Sequence, residues 1–169
     1  MAEHVIDIEI PEDVASYLRD EVAPGCAWVA DPESIGEHLR ALASLVLAEE
    51  GVDRGVELCI SLVSPKRIHE LNLTFRNVDR PTDVLSFPCD DPDDVPEGMP
   101  VELGDIFLAP SIVLAQSHEF GTTYGEESDL LITHGMLHLL GYDHIIDEEA
   151  EVMEARERAI LAIWRSRDD

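Results

Sequence analysis

Residues 133–144 read THGMLHLLGYDH, and the rest of the chain has to be arranged around this stretch. His134 and His138 are four positions apart on a predicted helix. At about 100° per residue they stand about 40° apart on one face, one above the other. Gly141 ends the helix and lets the chain turn back, which carries His144 toward the other two. Two ring nitrogens from adjacent turns and a third from the return form a plausible ligand set for one metal ion. Three imidazoles leave one tetrahedral position for water, the pattern of a catalytic rather than a closed structural zinc site. Zinc so bound lowers the pKa of its water to about 7. The competing reading is three ordinary core or surface histidines. Leu130, Leu131 and Leu137 lie near the same face, and one carbonyl can satisfy a buried neutral imidazole. Three histidines at HxxxHxxxxxH, across a helix and a glycine turn, favour the metal. His4, His38, His69 and His118 have no such spacing and read as core or surface residues, His118 being an outside candidate for a substrate contact.

The helix departs from the HExxH of metalloproteases, in which glutamate is the general base. Gly135 holds that position here, so peptide hydrolysis by that route is disfavoured.

Outward from the metal helix, which is predicted over about 125–140, the pattern alternates between strands and helices. Residues 3–10 alternate and end at Pro11, as a strand does. Residues 11–31 read as irregular, with a short helix near 14–19. Asp31-Pro32-Glu33-Ser34 opens a helix with Ile35, Leu39, Leu42 and Val46 on one stripe, ending near Gly51. Residues 56–63 form a strand, 64–73 a helix, 83–87 and 103–108 two more strands, and 110–120 a helix. A last helix runs from Asp147 to about Trp164, with Val152, Met153, Ile160 and Trp164 as its apolar residues. The predicted class is α+β: a small mixed four-stranded sheet packed with about five helices. Neither GxGxxG nor GxxxxGK[ST] occurs, so no nucleotide-cofactor fingerprint is present.

The 169 residues suit one domain spanning 1–169, and 45% hydrophobic content supports a real core. No apolar run approaches the roughly 20 residues of a membrane span. The N-terminus has no secretory pattern. These features predict a soluble, cytoplasmic protein. Cys26, Cys59 and Cys89 contain no CxxC pair and read as reduced thiols. The net charge is −26, which taken alone opposes nucleic-acid binding. Its distribution is uneven. Residues 66–80 hold Lys66, Arg67, Arg76 and Arg80 and are locally +2, whereas the loop and strand at 90–105 are −7. A positive island on an acidic chain hints at an anionic ligand; arginines paired with neighbouring carboxylates are the alternative.

Together with LNLTFRNVDRPTDVLSFP (71–88), LGDIFLAP (103–110) and DEEAEVMEARERAIL (147–161), the histidine stretch resembles the YbeY family of bacterial rRNA maturation factors. The resemblance covers roughly the last 100 residues. It implies a zincin-like metal helix and a zinc-dependent, single-strand-specific endoribonuclease. Such an enzyme acts in 16S rRNA 3′-end maturation and ribosome quality control. It also implies His134, His138 and His144 as ligands of one Zn2+, and Arg76 as the functional arginine. The implied partners are rRNA, the small ribosomal subunit, its proteins and an assembly GTPase. The strong acidity departs from expectation for an RNA-binding protein.

In this reading Arg76 clamps phosphate with its planar fork; the alternative is a structural ion pair with Asp79 or Asp83. Lys66, Arg67 and Arg80 are candidates for extending a track for the RNA backbone. Asp105 and Asp143 are candidates for orienting a ligand histidine. Thr82 and Ser86 could donate hydrogen bonds near the site, but strand-start or turn roles suit them better, and Tyr142 suits packing. Two other classes stay open. One is another zinc-dependent hydrolase, a peptidase or phosphoesterase. The other is a non-catalytic ribosome assembly factor with a structural metal.

Overall fold

The computed structural model describes residues 3–143 and 145–167. Four strands, β1 (Val5–Glu9), β2 (Val56–Leu62), β3 (Val84–Pro88) and β4 (Val101–Leu108), form one sheet in the order β1-β2-β4-β3. The first two pairings are parallel and the last is antiparallel. The sheet is therefore mixed, as its α+β pattern predicts, and β3 is an edge strand. Pro88 is tolerated there because an edge strand leaves one side without a ladder bond to lose.

Six α-helices are present among the described residues: α1 (Glu12–Tyr17), α2 (Pro32–Glu49), α3 (Pro65–Arg76), α4 (Pro110–Phe120), α5 (Tyr124–Leu139) and α6 (Asp147–Ser166). Three of them begin on proline, whose missing N–H costs nothing in a first turn. Side chains satisfy the next donors. Asp31 accepts from Ser34 N at 3.0 Å, Ser64 from Arg67 N at 3.2 Å, and Thr123 forms a reciprocal capping box with Glu126.

The stripe Ile35, Leu39, Leu42 and Val46 is fully buried, as its spacing predicts. It joins Ile60, Ile106 and Met136 in the main core between the sheet and α2, α5 and α6. A smaller core of Ile68, Leu71, Leu85 and Ala109 lies under α3. The segment 11–31 is more ordered than predicted: α1 runs on through a wider turn at Leu18–Val22 and buries Val14, Leu18 and Val22. Its prolines and glycine mark the later bends.

Gly104 sets the approach of β3 to β4. Its φ is 141°, next to a bulge in which Leu58 pairs with Gly104 directly after Glu57 pairs with Glu102. A Cβ there would stand 2.2 Å from the Phe87 carbonyl oxygen, a backbone atom of β3. Gly104→Ala is therefore expected to destabilise the protein by about 3 kcal/mol. Urea unfolding measures this, and an unchanged midpoint would remove the steric argument.

Candidate active site

Helix α5 packs across the sheet so closely that Gly135 touches β4. A Cβ at Gly135 would sit 3.2–3.4 Å from three atoms of Ile106. A glutamate in this position would run into the sheet, which is the packing reason for the missing HExxH glutamate. His134 and His138 then project on the opposite flank, toward the β3 edge. They line a cleft of about 880 Å³ together with Asn72, Arg76, Ser86 and Glu157.

The two imidazoles converge. His134 Nε2 and His138 Nε2 are 3.2 Å apart, with the rings at 78°. Tetrahedral zinc with bonds of 2.0–2.1 Å has ligand atoms about 3.3 Å apart. In spacing and chemistry the pair fits two corners of such a site. The third expected donor, His144, lies outside the described residues. Among the described residues no group of three histidine, cysteine or carboxylate side chains is arranged around a metal position.

Glu157 on α6 orients the first imidazole. Its carboxylate, on a residue only 7% exposed, hydrogen-bonds His134 Nδ1. That bond makes Nδ1 the donor and turns the Nε2 lone pair toward His138. The chain's pattern offers a signal for this residue. Met153, Glu157, Ile160, Leu161 and Trp164 form the inward stripe of α6, so a carboxylate sits on an apolar face. Val152, the other apolar residue expected in this helix, lies off the stripe and is 56% exposed. Glu157→Gln keeps the shape and removes the charge, and is expected to weaken zinc binding 10–100-fold, in the range of about 1–3 kcal/mol. Competition with a chromophoric chelator reads the change; an unaltered affinity would show that the contact only packs.

Asp105 does not take the orienting role. Ile106 faces α5, so Asp105, one residue earlier, faces the other side of the sheet. Burial and then Glu102 and Glu9 push its carboxyl above the usual range. Asp143 lines the cleft.

Helix α6 is pinned to α5 and its neighbours at two levels. Glu50, 8% exposed in its side chain, accepts from Arg156 Nε at 2.8 Å and also takes the Tyr142 hydroxyl. Burial, then Glu50, pushes the Tyr142 hydroxyl above its usual pKa, so it stays a donor. Tyr142 thus combines its expected packing with a hydrogen bond that ties α2 to the end of α5. Farther along, Asp129 accepts from Trp164 Nε1 at 3.0 Å and bonds His38 Nε2 at 2.7 Å, with Trp28 stacked on that imidazole at 3.7 Å. Glu157 lies between the two ties.

The other cleft wall carries Arg76. Helix α3 runs three residues beyond its predicted end, to a left-handed Asn77 at φ 57°, which places Arg76 on its last turn. The guanidinium reaches the β3 edge, where Nη2 donates to Ser86 O at 2.7 Å, and lies 5.2 Å from the centre of the Phe87 ring. Neither carboxylate named for an ion pair holds it. Asp79 bonds His69 at 2.7 Å, and Asp83 accepts from Val84 N at 2.7 Å and Thr82 Oγ1 at 3.2 Å. Thr82 thus supports the start of β3 through Asp83, while Ser86, within β3, lines the cleft and offers its carbonyl to Arg76.

Lys66, Arg67 and Arg80 are exposed and lie outside the cleft wall. Arg67 pairs with Glu70 at 3.4 Å. Lys66 and Arg67 begin α3, about 15 Å from Arg76 along the helix axis. His4 accepts from Val56 N at 3.2 Å and His118 ends α4 exposed, both apart from the cleft.

A family model described as Endoribonuclease YbeY matches residues 28–165. The Endoribonuclease YbeY of Rhodopseudomonas palustris is 42% identical over 148 residues, covering 88% of this chain and 78% of that one. Its counterpart in Paramagnetospirillum magneticum is 38% identical over 160 residues, covering 93% and 92%. The solution structure of TM1509 from Thermotoga maritima is 30% identical, with a TM-score of 0.56 over 96% of this chain and 93% of that one.

Proposed function

The chain belongs to the endoribonuclease YbeY family and is on that ground an RNA-cleaving hydrolase, and from this premise we propose that it is a zinc-dependent, single-strand-specific endoribonuclease maturing the 3′ end of 16S rRNA. It works as a single domain in the cytoplasm on the small ribosomal subunit, with ribosomal proteins and an assembly GTPase as partners. The observation that carries the reading is one cleft holding both the converging nitrogens of His134 and His138, 3.2 Å apart, and an arginine without a carboxylate partner among the described residues.

His134, His138 and His144 hold the ion, with Glu157 orienting the first. When bound, zinc supplies Lewis-acid stabilisation of the phosphodiester and an activated water. Arg76 binds and orients the scissile phosphate. One of its nitrogens is fixed on Ser86 O, which aims the rest of the fork, and a guanidinium keeps its charge at any working pH. The apolar flank of Val84, Leu130 and Leu131 limits water around the phosphate and strengthens that contact.

Metal removal tests the reading. Purified protein is expected to carry about one zinc per chain and to cleave single-stranded RNA but not casein. A chelator should abolish cleavage, and added zinc should restore it. RNA cleavage that persists in fully zinc-free protein would overturn the metal assignment, and cleavage of casein alone would favour a peptidase.

A further inference from the structure

Phe75 precedes Arg76 on α3, and 64% of it is exposed on a chain with only 5% aromatic residues. It is not stray surface. Its ring meets Phe87 edge-on at 5.4 Å, and Phe87 meets Phe107 at 5.8 Å in the same manner. The inner members of this ladder are packed against the small core under α3, while its outer ring stands in solvent. Arg76 lies 5.2 Å over that same Phe87. One ring therefore supports both the arginine that faces the cleft and the exposed phenylalanine that precedes it.

Charge singles out what this surface suits. The segment around it, residues 66–80, is locally +2 on a −26 chain, and of its bases Arg76 is the one that shares the Phe87 ring with Phe75, Lys66 and Arg67 standing about 15 Å away at the start of α3. An apolar protein segment needs no such charge; a polyanion with flat rings does. Aromatic side chains beside a basic track are how single strands are held, because an unpaired base offers its face for stacking and a paired one does not.

We propose that Phe75 is a base-stacking, positioning residue for single-stranded RNA, seating the base of a nucleotide next to the phosphate held by Arg76. This rests on the ribonuclease reading above and adds to it the source of strand preference. A duplex keeps its bases stacked on each other, so Phe75 gains nothing from it. The rigid backing by Phe87 and Phe107 means that the outer ring loses little freedom when a base settles on it.

Stacking on one aromatic side chain is worth about 1–3 kcal/mol per base, which corresponds to about 5–150-fold in affinity. The test compares wild type, Phe75→Ala and Phe75→Trp on a single-stranded RNA oligonucleotide, on the same oligonucleotide scanned with single abasic nucleotides, and on a duplex. Phe75→Ala is expected to raise KM for the single strand about tenfold, with the loss in KM rather than in kcat. Phe75→Trp is expected to restore KM, and its fluorescence to quench when RNA binds. One abasic position should weaken wild type as much as Phe75→Ala does, and cost the alanine variant nothing further. Equal KM for wild type and Phe75→Ala, with RNA still cleaved, would overturn the stacking role and leave the ribonuclease reading standing. Loss in the alanine variant with no abasic coupling would mean a protein-like apolar contact and would also overturn it. Failure of wild type to cleave any RNA would overturn both.

Discussion

His138→Ala is expected to strip zinc from the protein and to lower RNA cleavage on the order of a thousand-fold, about 4 kcal/mol of transition-state stabilisation. The imidazole is half-buried on the cleft flank of α5 and its Nε2 points at His134 Nε2 at 3.2 Å. Alanine removes one corner of the donor set and leaves Gly135 against Ile106, the contact that seats the helix on the sheet. Alanine is also the strongest helix former, so the helix is retained. Melting should accordingly stay near that of zinc-free wild type. This separates a catalytic metal from a bracing one. If zinc only held α6 to α5, its loss would free α6 as well, and hydrogen exchange in α6 would rise sharply. The ties at Glu50–Arg156 and Asp129–Trp164 argue against that, since they pin α6 without any metal. Full zinc content in His138→Ala would dismiss the three-histidine site.

What could be read from the sequence, and what could not, follows from the range of the interactions concerned. The histidine pair depends on helical period alone, and four residues always span about one turn. The core stripe of α2 is equally local. Glu157 is the opposite case. It meets His134 across 23 positions of chain, in a helix that starts with acidic residues whose ordinary place is water or the helix N-terminus. The spacing of Met153, Ile160 and Trp164 around it marks an apolar face, but it takes their packing against the core to show that Glu157 is carried inward with them. Asp105 does not reach the site for a related reason. Its neighbour Ile106 faces α5, and strand alternation turns Asp105 to the far side. Arg76 lay between these extremes. Its residue type suggested phosphate, but its position depended on where α3 ends, and Asn77 supplied that end by adopting the left-handed conformation that asparagine tolerates better than most residues. In segment 11–31 the prolines and glycine signal only the bends, while Val14, Leu18 and Val22 recur at helical spacing and bury the stretch between them.

The acidity is unevenly distributed along the chain, and Arg76 gives the cleft one cationic side chain among Asp83, Asp143 and Glu157. The −7 stretch forms the loop and strand at 90–105, where Arg54 is wrapped by the carbonyls of Pro92, Val95, Pro96 and Met99. Arg76 stands at the end of α3 on the cleft wall. Repulsion between the bulk of the chain and phosphate is long-ranged and is screened within about 8 Å at physiological salt. The attraction at Arg76 acts in contact and survives screening. Binding should therefore strengthen from very low to moderate salt before counterion competition weakens it.

Arg76→Glu carries the second large effect: RNA cleavage is expected to fall on the order of 10³-fold, as when an arginine that stabilises a transferring phosphoryl group is lost, with zinc content and melting near wild type. Two terms add. The fork that pairs with phosphate oxygens disappears, and a negative charge takes its place on a wall that must receive a negative group. The protein itself loses little. The wild-type guanidinium is exposed, with one hydrogen bond to Ser86 O and one face on Phe87, contacts worth about 1 kcal/mol together at a solvent-accessible site. Neither contact reaches His134, His138 or Glu157, so the metal should load as before. Arg76→Lys keeps the charge but only as a point, and should fall between the two, recovering binding better than turnover because the bidentate geometry is what the transition state uses. Measured together, kcat, KM and bound zinc for the three proteins decide the matter. Equal kcat/KM for Arg76→Glu and wild type would take this arginine out of the mechanism. Lost zinc in Arg76→Glu would instead make it a structural support of the metal site.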